Sequence, residues 1–395
     1  MVSYALATDE QRELAETARK VLEKSLAPRI EEFESADGGL GVYPKEVHQE
    51  LVDAGYYGMD IPEEWGGLGL DPITQAVIIE EMGKVDAGFA FAFAGSCCYF
   101  DRILMTKMPK EEKQKWADKI LSGTMGSFNL TEPNAGSDAA AIRTSAVYDE
   151  KTDEWIINGV KCFGSNAPNA EYFIVSAWTD KTKRASQGIT EFFIEKERGV
   201  KIGKKENKMG LHLSETSDVI FEDVRVPADH VIGELGHGFG NALNGIKTAS
   251  ALVNCCPTLG TAQAALDLAT EYAKTRRQFG KRIIDFQGVS FILADMNMKL
   301  ESARAMLYEY LNCEAKAVDC HRLDMMIKPY ITEQTFSVCD DAIQVLGGYG
   351  YMKDYPVERY MRNLRIFRIF GGTNQIKKKN LMKAIAGKDP KAEKR

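Results

Sequence analysis

The sequence predicts an α+β chain in three parts: helices, then a β-module, then helices again. Two observations carry that prediction. Apolar residues recur at helical spacing through residues 1–122 and again through 239–395. Between them, over 123–238, short β-rich runs are divided by Gly, Asp, Asn and Pro. Elements segregated in this way do not build a doubly wound sheet. A third observation agrees: no GxGxxG follows a strand and no GxxxxGKS/T occurs, so the standard dinucleotide and phosphate-loop readings fail.

In the first part, Thr8-Asp9-Glu10-Gln11 has the pattern of a capping box. It opens a helix with Leu14, Ala18, Val21, Leu22 and Leu26 on one face. Pro44 starts a second helix, with Val47, Leu51 and Val52 apolar and Gly55 at its end. Residues 62–70 read as loop and 73–82 as helix. The aromatic, uncharged run 88–95 reads as buried, and 109–121 closes this part. In the second part, 125–130, 144–148, 155–158, 172–178, 191–194 and 218–220 read as strands of an antiparallel sandwich or barrel. Residues 149–153 read as a polar hairpin tip. In the third part, 242–274, 286–318, 323–346 and 356–370 read as long helices of an antiparallel bundle, followed by a charged tail at 388–395.

Bulk properties bound the function. A chain of 395 residues, 44% apolar and 27% charged, can bury a large core and divides into two or three domains. A net charge of -7 argues against nucleic acid as the main partner. No apolar run reaches the roughly 18–20 residues of a membrane span, and residues 1–6 lack the regions of a signal peptide. Eight cysteines without a CxxC and five scattered histidines predict neither a disulfide framework nor a metal site. The expected compartment is the cytoplasm.

Five segments could carry chemistry. Residues 128–138 (FNLTEPNAGSD) run from a strand into a turn, where backbone N–H groups and hydroxyls are free for a ligand. In 158–166 (NGVKCFGSN), Asn158-Gly159 reads as a hairpin start that puts Phe163 and Ser165 on one strand face. Residues 276–282 (RRQFGKR) offer arginine forks suited to a pyrophosphate, or a basic turn complementing a helix dipole. Residues 344–351 (QVLGGYGY) and 368–376 (RIFGGTNQI) each place two glycines after a helix, where backbone approaches a ligand or merely caps.

Taken together and in this order, the five segments resemble the acyl-CoA dehydrogenase family of FAD enzymes, from Thr8 to Ile376. The resemblance implies a helical N-terminal domain, a β-domain and a C-terminal four-helix bundle, with FAD held between them. It also implies a homotetramer acting on an acyl-CoA, with an electron-transfer flavoprotein as redox partner. Carried over residue by residue, Phe128, Leu130, Thr131, Gly136 and Ser137 line the flavin and thioester. Phe163 covers the isoalloxazine and Ser165 meets it near N5. Arg276, Phe279 and Gln287 hold the adenosine-diphosphate part, as do Gln344, Gly347 and Gly348 from a neighbouring subunit. Thr373 and Gln375 close the site, and Phe91 and Gly372 adjoin the acyl group.

In this family the thioester oxygen is polarised by an FAD hydroxyl and a backbone N–H, here that of Gly371. The α-proton goes to a Glu directly before the Gly-Thr, a position that is Gly371 in this chain. The alternative position, on the preceding bundle helix, aligns with Ser250, followed by Ala251 where an Arg contacts CoA. A serine without an activating partner is no base, and Asp86, the nearest carboxylate, is not assigned that role. The expectation is flavin redox chemistry with non-standard proton handling: 1,4-dehydrogenation, or enoyl-CoA reduction. Phe89, Phe91 and Phe93 favour a short, flat or cyclic acyl group. The alternatives are a desulfinase-type lyase, for which the matching pocket offers Phe91 and no Arg, and a flavin- or CoA-binding homologue without turnover.

Overall fold

The computed structural model describes residues 7–387; residues 1–6 and the charged tail 388–395 lie outside the described residues. The first part is helical: α1 Asp9–Ser25, α2 Ile30–Gly39, α3 Lys45–Asp53, α4 Pro72–Val85, α5 Ala87–Cys97, α6 Phe100–Leu104 and α7 Lys110–Leu121. The capping box forms as the residues dictate. Gln11 N donates to Thr8 Oγ1 at 3.2 Å and Thr8 N to Gln11 Oε1 at 2.9 Å. Residues 88–95 lie within α5, buried on almost every side, which its alanine, glycine and phenylalanine composition permits.

The β-module holds β1 Met125–Asn129, β2 Ser145–Asp149, β3 Glu154–Ser165, β4 Ala170–Trp178, β5 Ile189–Glu195, β6 Lys201–Lys205, β7 Thr216–Pro227 and β8 Val231–Ile232, with the short α8 Ala185–Gly188 before β5. The strands lie in the order β6-β7-β3-β2-β4-β5-β8, with β1 beside β4. Inward residues of both halves share one core, and Trp155 of β3 touches Phe192 of β5 at 5.5 Å although two strands separate them. The sheet therefore curls on itself like a barrel. On the opposite face of β4 and β5, Tyr172 and Phe193 receive Trp116 of α7.

Two expectations are corrected. The sheet is mixed, because β1 pairs β4 in parallel. Asn158-Gly159 does not turn a hairpin; β3 runs through it to Ser165, with an irregularity in its pairing to β7. The physical reason is crowding. A Cβ on Gly159 would collide with Thr144, so the glycine serves a close approach inside the strand, where it marks a bulge.

The third part comprises α9 Gly238–Ala249, a π-turn Ser250–Cys255, α10 Cys256–Thr275, the ribbon β9 Arg277–Gln278 and β10 Lys281–Arg282, and α11 Gln287–Ala315. It ends with α12 His321–Leu346, α13 Gly348–Tyr351, α14 Val357–Leu364 and α15 Asn374–Ala386. The expected single helix over 242–274 is interrupted by the π-turn. Pro257 near the start of α10 has no N–H for the Val253 carbonyl, and its ring crowds that carbonyl; a wider turn relieves both. The helix expected over 356–370 ends at Leu364 and tightens into a 3-10 turn, Arg365–Arg368.

One buried ion pair ties the two helical parts together and another braces the β-module internally. Arg304 Nε of α11 meets Glu80 Oε1 of α4 at 2.8 Å. Lys161 Nζ of β3 meets Glu132 Oε1 at 2.8 Å and also donates to Leu130 O at 3.1 Å. Glu132 further accepts from Thr144 Oγ1 at 2.6 Å, Thr144 N at 3.0 Å and Arg143 N at 2.6 Å. Burial pushes Lys161 down to about 8. Burial also pulls the Glu132 carboxyl up, but Lys161 and the hydroxyl and amide donors outweigh it and hold that carboxyl below its usual range.

Replacing Lys161 by Met leaves the Glu132 charge buried and unpaired, a loss of about 3–5 kcal/mol. The urea midpoint should fall accordingly at unchanged slope. At the α4–α10 crossing, a Cβ on Gly83 would stand 2.6 Å from Pro257 O. Gly83→Ala should therefore lose about 1–3 kcal/mol by overpacking, read in the same titration.

Candidate functional site

The segment after β1 is held from both sides. Glu132 and Ala135 exchange backbone hydrogen bonds at 3.1 and 3.0 Å, which folds Pro133-Asn134 into a tight turn. Cys162 N donates to Thr131 O at 2.9 Å, joining that turn to β3 beside the Lys161–Glu132 pair. Leu130 is buried, Phe128 and Thr131 are half-buried, and Gly136 and Ser137 are exposed.

On β3 the pairing slips between Lys161 and Gly164, and Phe163 takes φ +58. A bulky residue in the left-handed region is a backbone outlier, and such strain clusters at ligand sites. The slip turns the Phe163 ring outward, where it is 62% exposed. Beyond the slip, Phe163, Gly164 and Ser165 alternate as exposed, buried and half-buried. Ser165 is half-buried, and its carbonyl accepts from Ser127 Oγ at 2.8 Å. Asn166 Nδ2 donates to Ala92 O in α5 at 2.9 Å.

That bond leads to the last segment. Phe91, beside Ala92, stacks on Phe370 with ring centroids 4.8 Å apart, and Phe367 meets both edge-on. Phe370 opens Gly371-Gly372, at φ +59 and +78, and Thr373 caps α15 by accepting from Ile376 N at 3.2 Å. The capping geometry is present, and the Gly371 backbone is bare of any side chain. Lys328, fully buried on α12, donates to Gly372 O at 2.9 Å and Asn374 Oδ1 at 3.3 Å. Burial pushes Lys328 down to about 8. Gln375 is exposed.

Ser250 opens the π-turn with its hydroxyl committed to Ile246 O at 2.8 Å. Four residues on, Asn254 approaches the terminal loop: a Cβ built on Gly371 would stand 3.0 Å from Asn254 Nδ2. Asp86 is engaged elsewhere. Its Oδ1 accepts from Phe89 N at 2.8 Å as the cap of α5, and its Oδ2 from Asn363 Nδ2 at 3.3 Å. Burial raises its carboxyl above the usual range.

The remaining residues form a second group. Arg276 ends α10, and Phe279-Gly280, at φ +52 and +80, turns the β9–β10 ribbon. Phe279 is 93% exposed. Arg276, Gly347 and Gly348 line a cavity of about 520 Å³ with Tyr349, whose ring lies 5.8 Å from the Arg276 guanidinium. Phe279, Gln287 and Gln344 are exposed and do not line it. Arg276 does not simply end a basic helix as expected; it leads into a hairpin ribbon that presents an aromatic ring.

Sequence reasoning missed Glu132, Lys161, Asn254 and Lys328. Their signal was available: each is a polar residue inside an otherwise apolar stretch or a turn, but only packing shows which such residues are buried. The exposed, strained rings of Phe163 and Phe279 and the arginine-lined cavity fit a cofactor with a flat heterocycle at one end and phosphates at the other.

Comparison with known proteins agrees with this arrangement. Residues 8–124, 127–224 and 236–386 match the family models for the N-terminal, middle and C-terminal domains of acyl-CoA dehydrogenase. The chain is 38% identical over 375 residues to the short-chain-specific acyl-CoA dehydrogenase of Megasphaera elsdenii, covering 93% of this chain and 96% of that protein. It is 36% identical over 372 residues to subunit CarC of the caffeyl-CoA reductase-Etf complex of Acetobacterium woodii, again covering 93% and 96%. The solved structure of butyryl-CoA dehydrogenase from Megasphaera elsdenii superposes with a TM-score of 0.89 at 36% identity, covering 96% of this chain and 99% of that one. On matches that run nearly end to end, the chain belongs to the acyl-CoA dehydrogenase family and is an oxidoreductase of that kind.

Proposed function

We propose that the chain is an FAD-dependent oxidoreductase acting on the CH–CH group of an acyl-CoA thioester, by dehydrogenation or enoyl-CoA reduction, without a carboxylate base at either position the family uses. The observation that carries this reading is the pairing of a bare Gly371 with a buried amide. Where a carboxylate side chain would leave residue 371, Asn254 Nδ2 stands instead, and the hydroxyl of Ser250 is committed to a backbone carbonyl. An amide neither takes nor gives a proton near neutral pH, so the α-proton must travel by another route, as in 1,4-dehydrogenation or reduction with solvent as proton source.

FAD, when bound, supplies the hydride acceptor or donor. The chain's own residues do the rest. Phe163 offers a flat face, and Ser165 and Thr131 offer hydroxyls beside it. The Gly371 N–H polarises the thioester oxygen, and Lys328 anchors the end of the loop by holding the Gly372 carbonyl at 2.9 Å. The Phe91–Phe370 stack limits the room for the acyl chain, which favours a short, flat or cyclic group. Helix α10 spans 20 residues, about 30 Å at ~1.5 Å per residue. It therefore holds Arg276 far from Asn254 and Gly371, on one cavity with Gly347 and Gly348 of the same chain. In place of the expected split between subunits, this supports Arg276, Phe279, Gln287, Gln344, Gly347 and Gly348 together serving the flavin of a neighbouring subunit in a homotetramer. CarC is named as part of an Etf complex, which supports an electron-transfer flavoprotein as partner here.

The test is flavin absorbance of the purified protein, first to establish bound FAD and then with saturated, enoyl and cyclic acyl-CoA thioesters. Bleaching by a donor, or enoyl-dependent reoxidation of reduced flavin, is expected. Product formation without flavin reduction would point to the lyase, and inertness to a binding protein. A second prediction concerns the base. In Gly371→Glu alone, the new side chain meets Asn254 and sits at φ +59, a strain of about 1–3 kcal/mol. Adding Asn254→Ala clears the contact. The double variant should then bleach with butyryl-CoA faster than either wild type or the single variant, by up to the ~10²–10⁴-fold of a general base. No gain with FAD and thioester binding intact would mean that the pocket, not the base, sets the reaction.

A further inference from the structure

Asn254 has a chemical consequence beyond the absent base. It is 4% exposed, lies in the π-turn between apolar neighbours, and has no hydrogen-bond partner for its side chain among the described residues. Ser250, at the start of the same turn, is satisfied by Ile246 O. Its amide atoms are not sealed from solvent, so the side chain borders an open space where a ligand group can complete its hydrogen bonds. The amide nitrogen stands 3.0 Å from the position of a Cβ on Gly371, on the path a side chain at that residue would take. The aromatic group on the other side of the loop, Phe91 with Phe367 and Phe370, offers no hydrogen bond.

Resting on the acyl-CoA reading above, we propose that Asn254 is a specificity-determining residue that selects acyl groups carrying an oxygen substituent, a hydroxyl or carbonyl, on the carbons next to the thioester. An amide offers both donors and acceptors, so a substrate hydroxyl is met whichever way the amide is turned. The π-turn makes this possible. It shifts the residues after Ser250 out of the α-helical register, so that Ser250 faces back along its own helix while Asn254 reaches the loop. A wholly apolar pocket would favour a methyl group slightly over a hydroxyl; a site built around an unpaired amide rejects the methyl analogue.

The test uses the flavin-loaded protein and two thioesters of matched shape, 3-hydroxybutyryl-CoA and 3-methylbutyryl-CoA, with dissociation constants measured by anaerobic calorimetry. Wild type should bind the hydroxy compound about tenfold or more tightly, the ratio one net hydrogen bond supplies. Asn254→Leu should abolish or reverse that preference while FAD content stays unchanged. Should the leucine variant fail to fold, Asn254→Ala gives the same readout with less bulk. Equal binding of the two thioesters by wild type, or an unchanged ratio in the variant, overturns the inference and leaves the acyl-CoA reading standing. Binding of neither thioester by flavin-loaded protein overturns that reading, and the inference with it.

Discussion

The candidate site depends first on the Lys161–Glu132 pair. Both groups are removed from water, with Lys161 fully buried, so removing either one leaves the other's charge buried and uncompensated. The remaining lone pairs of Glu132 accept from Arg143 N, Thr144 N and Thr144 Oγ1. Lys161 reaches Leu130 O in addition. One ion pair thus fixes three stretches, the turn after β1, the entry to β2 and the middle of β3. It lies next to the bulge that turns Phe163 outward, and so converts a flexible connection into a rigid edge.

The terminal loop is organised by the opposite device, a shortage of side chains. Two glycines at positive φ leave the Gly371 backbone open, and a buried lysine on α12 holds the carbonyl beside it. A backbone donor of this kind does not depend on which side chain the loop carries. The space that a side chain at 371 would enter is bordered by Asn254, which only the π-turn brings there. The space at the loop is therefore shaped by two segments far apart in sequence, Ser250–Cys255 and the glycines before α15.

Contacts also divide the motif residues into two sets. Asn166 to Ala92, Phe91 to Phe370 and Asn254 to Gly371 link the β-module, α5, the π-turn and the terminal loop into one neighbourhood. Arg276, Gly347, Gly348 and Tyr349 gather around another cavity past the far end of α10. Phe279 is strained and almost wholly exposed, a combination that a lone chain does not reward.

By itself the sequence determined the order of helices and strands, the capping of α1 and α15, the burial of 88–95 and the family motifs. These follow from local period, cap chemistry and residue type. It misjudged Asn158-Gly159 because turn propensity is local, whereas the crowding against Thr144 that keeps the glycine in a strand comes from a neighbouring chain segment. It read 242–274 as one helix because periodicity does not register the single extra residue of a π-turn. Only the tertiary structure decided the parallel β1–β4 pairing, the burial of Lys161 and Lys328, the commitment of Asp86 to a helix cap, and the approach of Asn254 to Gly371. The physical reason is common to all four: desolvation and contact are properties of segments distant in sequence, and they exist only once the chain has closed around them.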